Sequence, residues 1–284
     1  MKNGASHFMK KGFKLSARGF STCLWGVVAL TIVGIALRTV NMFLFFDYDI
    51  NYYSAGAVLP VVSAIFFALA AVVITIVSAG ARELPLTADG TEKGIVIKFV
   101  SFLSSLSFIF SASGTLGAAT FIPVAVLTTA LYISAVYFLL NLTRSPLGVQ
   151  ALASVAIIMS LTSFIALSYF DPYIQMNSPI KVHLHLAMLS SMLFITAEAR
   201  SIIGMIKKRF YIFSLSMAVF FTGIASVPNA AAILAKKLEY NATPAYYMFD
   251  TVTFFLFVYL LCRLVKLTAF VNCESEPIDI TIEA

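Results

Sequence analysis

The chain has 284 residues, 60% of them hydrophobic and only 11% charged, with a net charge of +6. A soluble domain carries roughly 25% charged residues, so this composition excludes a water-solvated globule. It also argues against nucleic acid as a partner, because no basic patch sits on a soluble domain.

The first 22 residues form a basic tail with Lys2, Lys10, Lys11, Lys14 and Arg18. The apolar stretch that follows, Cys23 to Phe46, is too long for a signal-peptide core, and no small-residue cleavage site follows it, so it reads as a retained helix. A helix crossing about 30 Å of hydrocarbon needs roughly 20 apolar residues. Seven more such stretches follow: Gly56 to Ala79, Ile95 to Ser113, Ala118 to Leu142, Val149 to Phe170, Val182 to Arg200, Phe210 to Ala232 and Tyr246 to Leu267. Backbone groups must pair within hydrocarbon, and long stretches without alternation do so as helices. The expectation is an all-α, polytopic transmembrane helical bundle of eight spans. The count falls to seven if the serine-rich third span, or the sixth with its His183, His185, Glu198 and Arg200, fails to cross. Residues 23–267 make the membrane domain and 268–284 an acidic tail.

With eight spans and the amino terminus inside, fifteen of the nineteen Lys and Arg residues lie on the cytoplasmic side, against Lys181, Lys236 and Lys237 outside. This bias places both termini in the cytoplasm. Cys23, Cys262 and Cys273 then fall at or near the reducing face, with no disulfide framework and no metal spacing. The basic residues anchor loops and meet anionic lipid headgroups. Asn141 begins a sequon that faces inside, and Asn241 one that faces outside.

Span one ends Phe45-Phe46-Asp47 and span five Tyr169-Phe170-Asp171, while the next span in each case ends near Ala-Arg. Two four-span halves, 23–142 and 149–267, related by an axis along the membrane normal would produce this echo. So would aromatic belts and terminal charges imposed by topology alone.

Polar residues within spans are costly in lipid and mark places where chemistry or specific packing occurs. Arg38 lies about 12 Å below the outer end of span one at the helical rise. Asp47, Asp171 and Asp250 lie towards the same side, and the expected cluster has Arg38 and Asp250 at its core. The alternative has Arg38 snorkelling and Asp250 meeting water at a helix start. Residues 171–185 form the densest polar loop. Ser178 before Pro179 reads as an N-cap with proline at the first helical position, while Asp171, Asn177, Lys181 and His185 could line the mouth of an outward-facing cavity. His183 and His185, about 200° apart around a helix, cannot chelate one metal. Glu198 is expected to pair with Arg200 or another basic residue at the cytoplasmic end, or to relay protons. Ser104, Ser107, Ser111 and Gly114 fall on one stripe of span three, the pattern of a tight packing face or of a polar path. Pro123, and Pro228 with Asn229, could break their helices in the outer half.

No phosphate-binding loop, metal-binding helix motif or nucleophile elbow is present. The sequence therefore leads to no enzyme, no cofactor and no metal. Around Arg38 with Phe46-Asp47, and Asp171 with Met176-Asn177-Ser178-Pro179 and a following basic residue, the chain resembles a group of uncharacterised polytopic membrane proteins of clostridia-like bacteria. That resemblance implies a bacterial plasma membrane and no activity. Two classes stay open: a non-catalytic component, either a sensor or an assembly partner with a protein partner or second copy, and a small-molecule or ion transporter with a polar site in the outer half.

Overall fold

The computed structural model describes residues 17–80, 94–115, 122–143, 146–171, 174–175, 177–239 and 245–273. The basic tail as far as Ser16, the Ala81-Arg82-Glu83 end of the second span, Lys93, Arg144, Met176, the Asn241 sequon and the chain from Glu274 onward lie outside the described residues.

Eight helices account for nearly all of the described chain: α1 (Ala17–Leu44), α2 (Val58–Ala79), α3 (Ile95–Thr115), α4 (Ile122–Leu140), α5 (Leu147–Phe170), α6 (Pro179–Ile202), α7 (Lys208–Leu234) and α8 (Ala245–Cys273). Between α1 and α2 lies a two-residue hairpin, β1 (Phe46–Asp47) and β2 (Tyr52–Tyr53), in which Phe46 pairs with Tyr53 and Asp47 with Tyr52. The hairpin turns through Asn51 and hands the chain to α2 through Gly56, both at positive φ, a conformation that glycine adopts without strain. Helix α6 starts as its sequence demands. The Ser178 side chain accepts from the Ile180 N–H, and Pro179 occupies the first turn.

Seven of these helices are long and apolar enough to cross a membrane, including the third and the sixth. The short one is α4, whose apolar part is Val124–Leu140. Its 19 residues still span about 28 Å at the helical rise. Because α3 and α5 both run towards the hairpin end of the bundle, α4 must carry the chain back between them. The molecule is a multi-pass membrane protein built as a helical bundle. We call its two ends the hairpin face and the basic face; the latter carries Lys207, Lys208, Arg209 and Lys266 among the described residues.

Helices α3 to α8 close into a ring, each packed on its chain neighbour, with α8 returning to α3. Helix α1 lies across α7 and α8, and α2 leans on α1 and α7 from outside. Helix α7 is the most enclosed, 72% of its apolar window being buried against 28% for α2. The outer flank of α2, with Ile65, Leu69 and Ile76 each about 60% exposed, suits hydrocarbon. In lipid, helices associate through close packing rather than the hydrophobic effect, and glycine allows this at the α1–α7 crossing. A Cβ on Gly223 would sit 2.8 Å from Phe257 and 2.9 Å from Thr31, and one on Gly34 2.9 Å from Ile224. Gly223→Leu is expected to cost about 1–3 kcal/mol through overpacking, seen as a lower thermal midpoint of the detergent-held protein. An unchanged midpoint would show that α1 is not seated this closely.

The serine stripe of α3 faces α8. Ser104 donates to the Phe255 carbonyl (3.3 Å) and Ser111 to that of Met248 (3.4 Å), while Gly114 lies against the Met248 side chain. Ser107, also buried, turns its hydroxyl back to the Ser104 carbonyl.

Candidate functional site

Three groups of polar side chains stand out within the bundle. The first is towards the hairpin face and begins with a flaw in α7. Pro228 has no N–H to offer the carbonyl of Ile224 four residues back, and its ring pushes that carbonyl aside. Arg38 of α1, 1% exposed, takes it up: Nη1 donates to the Ile224 carbonyl and to that of Ala225 (2.7 Å). Its Nη2 donates to Asn229 Oδ1 at 2.8 Å, and Asn229 Nδ2 donates to Asp250 Oδ1 at 2.9 Å. The arginine therefore does more than snorkel: its charge replaces a missing helix donor and reaches a carboxylate on α8 through an asparagine. Tyr53 of the hairpin lies within hydrogen-bonding reach of Arg38. Burial pushes the Tyr53 phenol up from its usual range, with the nearby guanidinium opposing the shift.

Beside this chain lies a cavity of about 520 Å³ between the hairpin, the start of α2 and the start of α6, and Asn41, Tyr53, Ser63, Phe67, Asn177 and His183 help to line it. Asn41, 1% exposed, donates from Nδ2 to Ser63 Oγ at 2.7 Å. Its Oδ1 is buried without a hydrogen-bond partner. His183 packs edge-on against Phe67, ring centroids 5.5 Å apart, and its Nδ1 is likewise buried and unpartnered. Orphaned buried polar atoms are unusual in folded proteins, and these two have almost no exposed surface.

The second group is towards the basic face. Glu198 of α6, 1% exposed, receives Arg263 Nη2 (2.7 Å), the Tyr137 hydroxyl (2.7 Å) and the Tyr259 hydroxyl (3.2 Å). Arg263 Nη2 also donates to the Tyr211 hydroxyl at 2.9 Å. Glu198 and Arg263 together thus tie α4, α6, α7 and α8 across the ring. Of the expected partners, Arg200 or another basic residue, Glu198 uses the second, Arg263. Two residues along a helix turn the side chain through about 200°, and Arg200 is half-buried elsewhere.

A third patch joins α5 to α6. Lys181 Nζ donates to the Asp171 carbonyl at 2.8 Å, and His185 Nε2 meets Ser168 Oγ at 2.7 Å. Ser168 already donates to the Ile165 carbonyl, so the imidazole is the donor in this contact.

The residues expected to form one outer cluster are therefore divided. Arg38 and Asp250 come together through Asn229. Asn177 lies exposed at the cavity. Asp171, Lys181 and His185 face the α5–α6 seam, and the histidine that faces the cavity is His183. Asp47 stands apart and exposed, its carboxylate accepting the Asp49 and Ile50 N–H groups of its own turn (3.0 and 3.4 Å). Among the described residues, no three His, Cys, Asp or Glu side chains are placed to hold a metal ion. No protein-family model, curated protein or solved structure matches this chain. The reading of the site rests on its geometry. Sequence reasoning missed Asn41, Ser63, Tyr53 and the whole Tyr137, Tyr211, Tyr259 and Arg263 set.

Proposed function

We propose that this chain is a non-catalytic component of a bacterial plasma membrane that binds a small molecule in the cavity at its outward-facing hairpin end, as a sensor does. The observation that carries the reading is a cavity of about 520 Å³ lined by Asn41, Tyr53, Ser63, Asn177 and His183, within the range of about 300–1,000 Å³ typical of ligand pockets. Helix α7 supplies Asn229 to the Arg38 chain and Tyr211 to the Glu198 group. A ligand that shifts α7 at one end would therefore be felt at the other, where a protein partner or second copy could respond.

Native mass spectrometry of the purified protein tests this. Ala64 lines the cavity, whereas Leu69, five residues further along α2, is 60% exposed on the lipid flank. Ala64→Phe should strip a bound small molecule that wild type and Leu69→Phe retain. Identical adducts on all three proteins would refute a ligand cavity.

Transport is the second reading, favoured by the missing backbone hydrogen bond at Pro228 beside a charged residue; α7 itself runs unbroken from Lys208 to Leu234, unlike the discontinuous helices of transporter binding sites. It requires the Glu198–Arg263 lock at the basic face to open in turn.

A further inference from the structure

Lys207, Lys208 and Arg209 stand in succession at the start of α7, and Lys207 and Arg209 are exposed. Cations at this end of a helix oppose its dipole, and the first turn of α7 holds no acidic residue to offset them. Among the described residues the acidic side chain at the basic face is Glu198, which is buried on Arg263. The exposed pair is therefore left for something else to meet.

The same turn exposes apolar surface. Helix α6 ends with Gly204 at positive φ, its N–H returning to the Ser201 carbonyl (3.0 Å) and that of Met205 to the Arg200 carbonyl (2.8 Å). In such an ending the residue after the glycine usually packs on an apolar residue of the last turn. Here the last-turn residue is Arg200, and Met205 stays 62% and Ile203 53% exposed. The turn is thus held in shape and presents an apolar pair beside a basic pair.

The chain has a segment of matching chemistry. Residues 274–284 hold Glu274, Glu276, Asp279 and Glu283 and no Lys or Arg, and Ile278, Ile280 and Ile282 alternate with Asp279, Thr281 and Glu283. In an extended chain that pattern gives one apolar and one acidic side. The other acidic stretch at this end, 81–93, carries Arg82 and Lys93 of its own. The Arg263–Tyr211 bond sets α8 level with the first turn of α7, and α8 runs on about 15 Å further to Cys273. Five extended residues cover about 17 Å, so by Ile278 the chain can be back beside the α6–α7 turn.

We propose that the acidic segment 276–283 docks on the α6–α7 turn of its own chain, its isoleucines against Ile203 and Met205 and its carboxylates against Lys207 and Arg209. Docked there, it straps the ends of α6, α7 and α8 together over the Glu198–Arg263 centre. This contact is independent of what the cavity holds.

The test uses the full-length protein in nanodiscs of phosphatidylcholine, which offers no net negative headgroup to compete, with benzoylphenylalanine in place of Ile280. Light should crosslink this residue to a peptide of residues 203–209 within one chain. Lys207→Glu with Arg209→Glu should lower that product about fivefold, the worth of two exposed ion pairs. Adding Asp279→Lys and Glu283→Lys should restore it, a recovery that misfolding would not produce. Capture of residues 1–16 or 81–93 instead, a product of two-chain mass, or a yield indifferent to the charge reversals would each overturn the docking. So would the absence of any protein crosslink, which would leave lipid headgroups as what the turn meets.

Discussion

Arg263→Met should be among the most damaging substitutions in the protein, costing about 3–5 kcal/mol, because it leaves the Glu198 carboxylate buried with no cation. The tyrosine hydroxyls at 2.7 and 3.2 Å soften that loss, since they remain as donors. Glu198→Gln is expected to cost a similar amount from the other side, leaving the Arg263 guanidinium with Tyr211. The double variant carries neither charge, and its Gln carbonyl still accepts from Tyr137 and Tyr259, so its loss should fall to about 1–2 kcal/mol, mostly imperfect hydrogen bonding. Thermal unfolding of the four proteins in one detergent reads this as a cycle. Two large single effects with a smaller combined one show that the pair acts as a unit. Losses that simply add would show that Glu198 and Arg263 contribute independently.

This centre was poorly legible in the sequence for a definite physical reason. Reading span eight as ending at Leu267 puts Arg263 at the membrane surface as an anchor. Helix α8 in fact continues to Cys273, which leaves Arg263 ten residues from its end, about 15 Å along the axis, and 5% exposed. Tyr137, Tyr211 and Tyr259 read as aromatic residues of apolar spans, and their hydroxyls become informative only when four helices bring them to Glu198 and its partner Arg263. The outer centre was easier to read. A charge within an apolar span stands out, so Arg38 and Asp250 were legible as partners, while the role of Asn229 depended on the break at Pro228. Asn41 and Ser63 give no signal at all, because a polar residue on either side of a hairpin is ordinary until the turn closes them over a cavity. Helix existence followed from composition, and the Ser178 cap from its place before Pro179. The direction in which each polar side chain points, as with His183 and His185, depended on the neighbours of α6.

Arg38→Met should cost about 3 kcal/mol or more, since it takes the donor from the Ile224 carbonyl and the positive charge from the chain that reaches Asp250 through Asn229. Two second-site changes separate these parts. Pro228→Ala restores an N–H at the position from which a regular helix would bond to the Ile224 carbonyl, so in the Arg38→Met background it should recover about 1 kcal/mol. In the wild-type background the same substitution makes the new N–H compete with the Arg38 guanidinium, and the gain should shrink or vanish. Asp250→Asn addresses the other part. Alone it deprives Arg38 of the carboxylate reached through Asn229 and should destabilise, whereas after Arg38→Met it removes a buried charge that has lost its counter-ion and should be neutral or favourable. Thermal midpoints of the five variants and the wild type decide the matter. If Pro228→Ala gives the same change with and without Arg38, the guanidinium is not what satisfies the broken turn. If Asp250→Asn costs the same in both backgrounds, the chain through Asn229 carries no coupling.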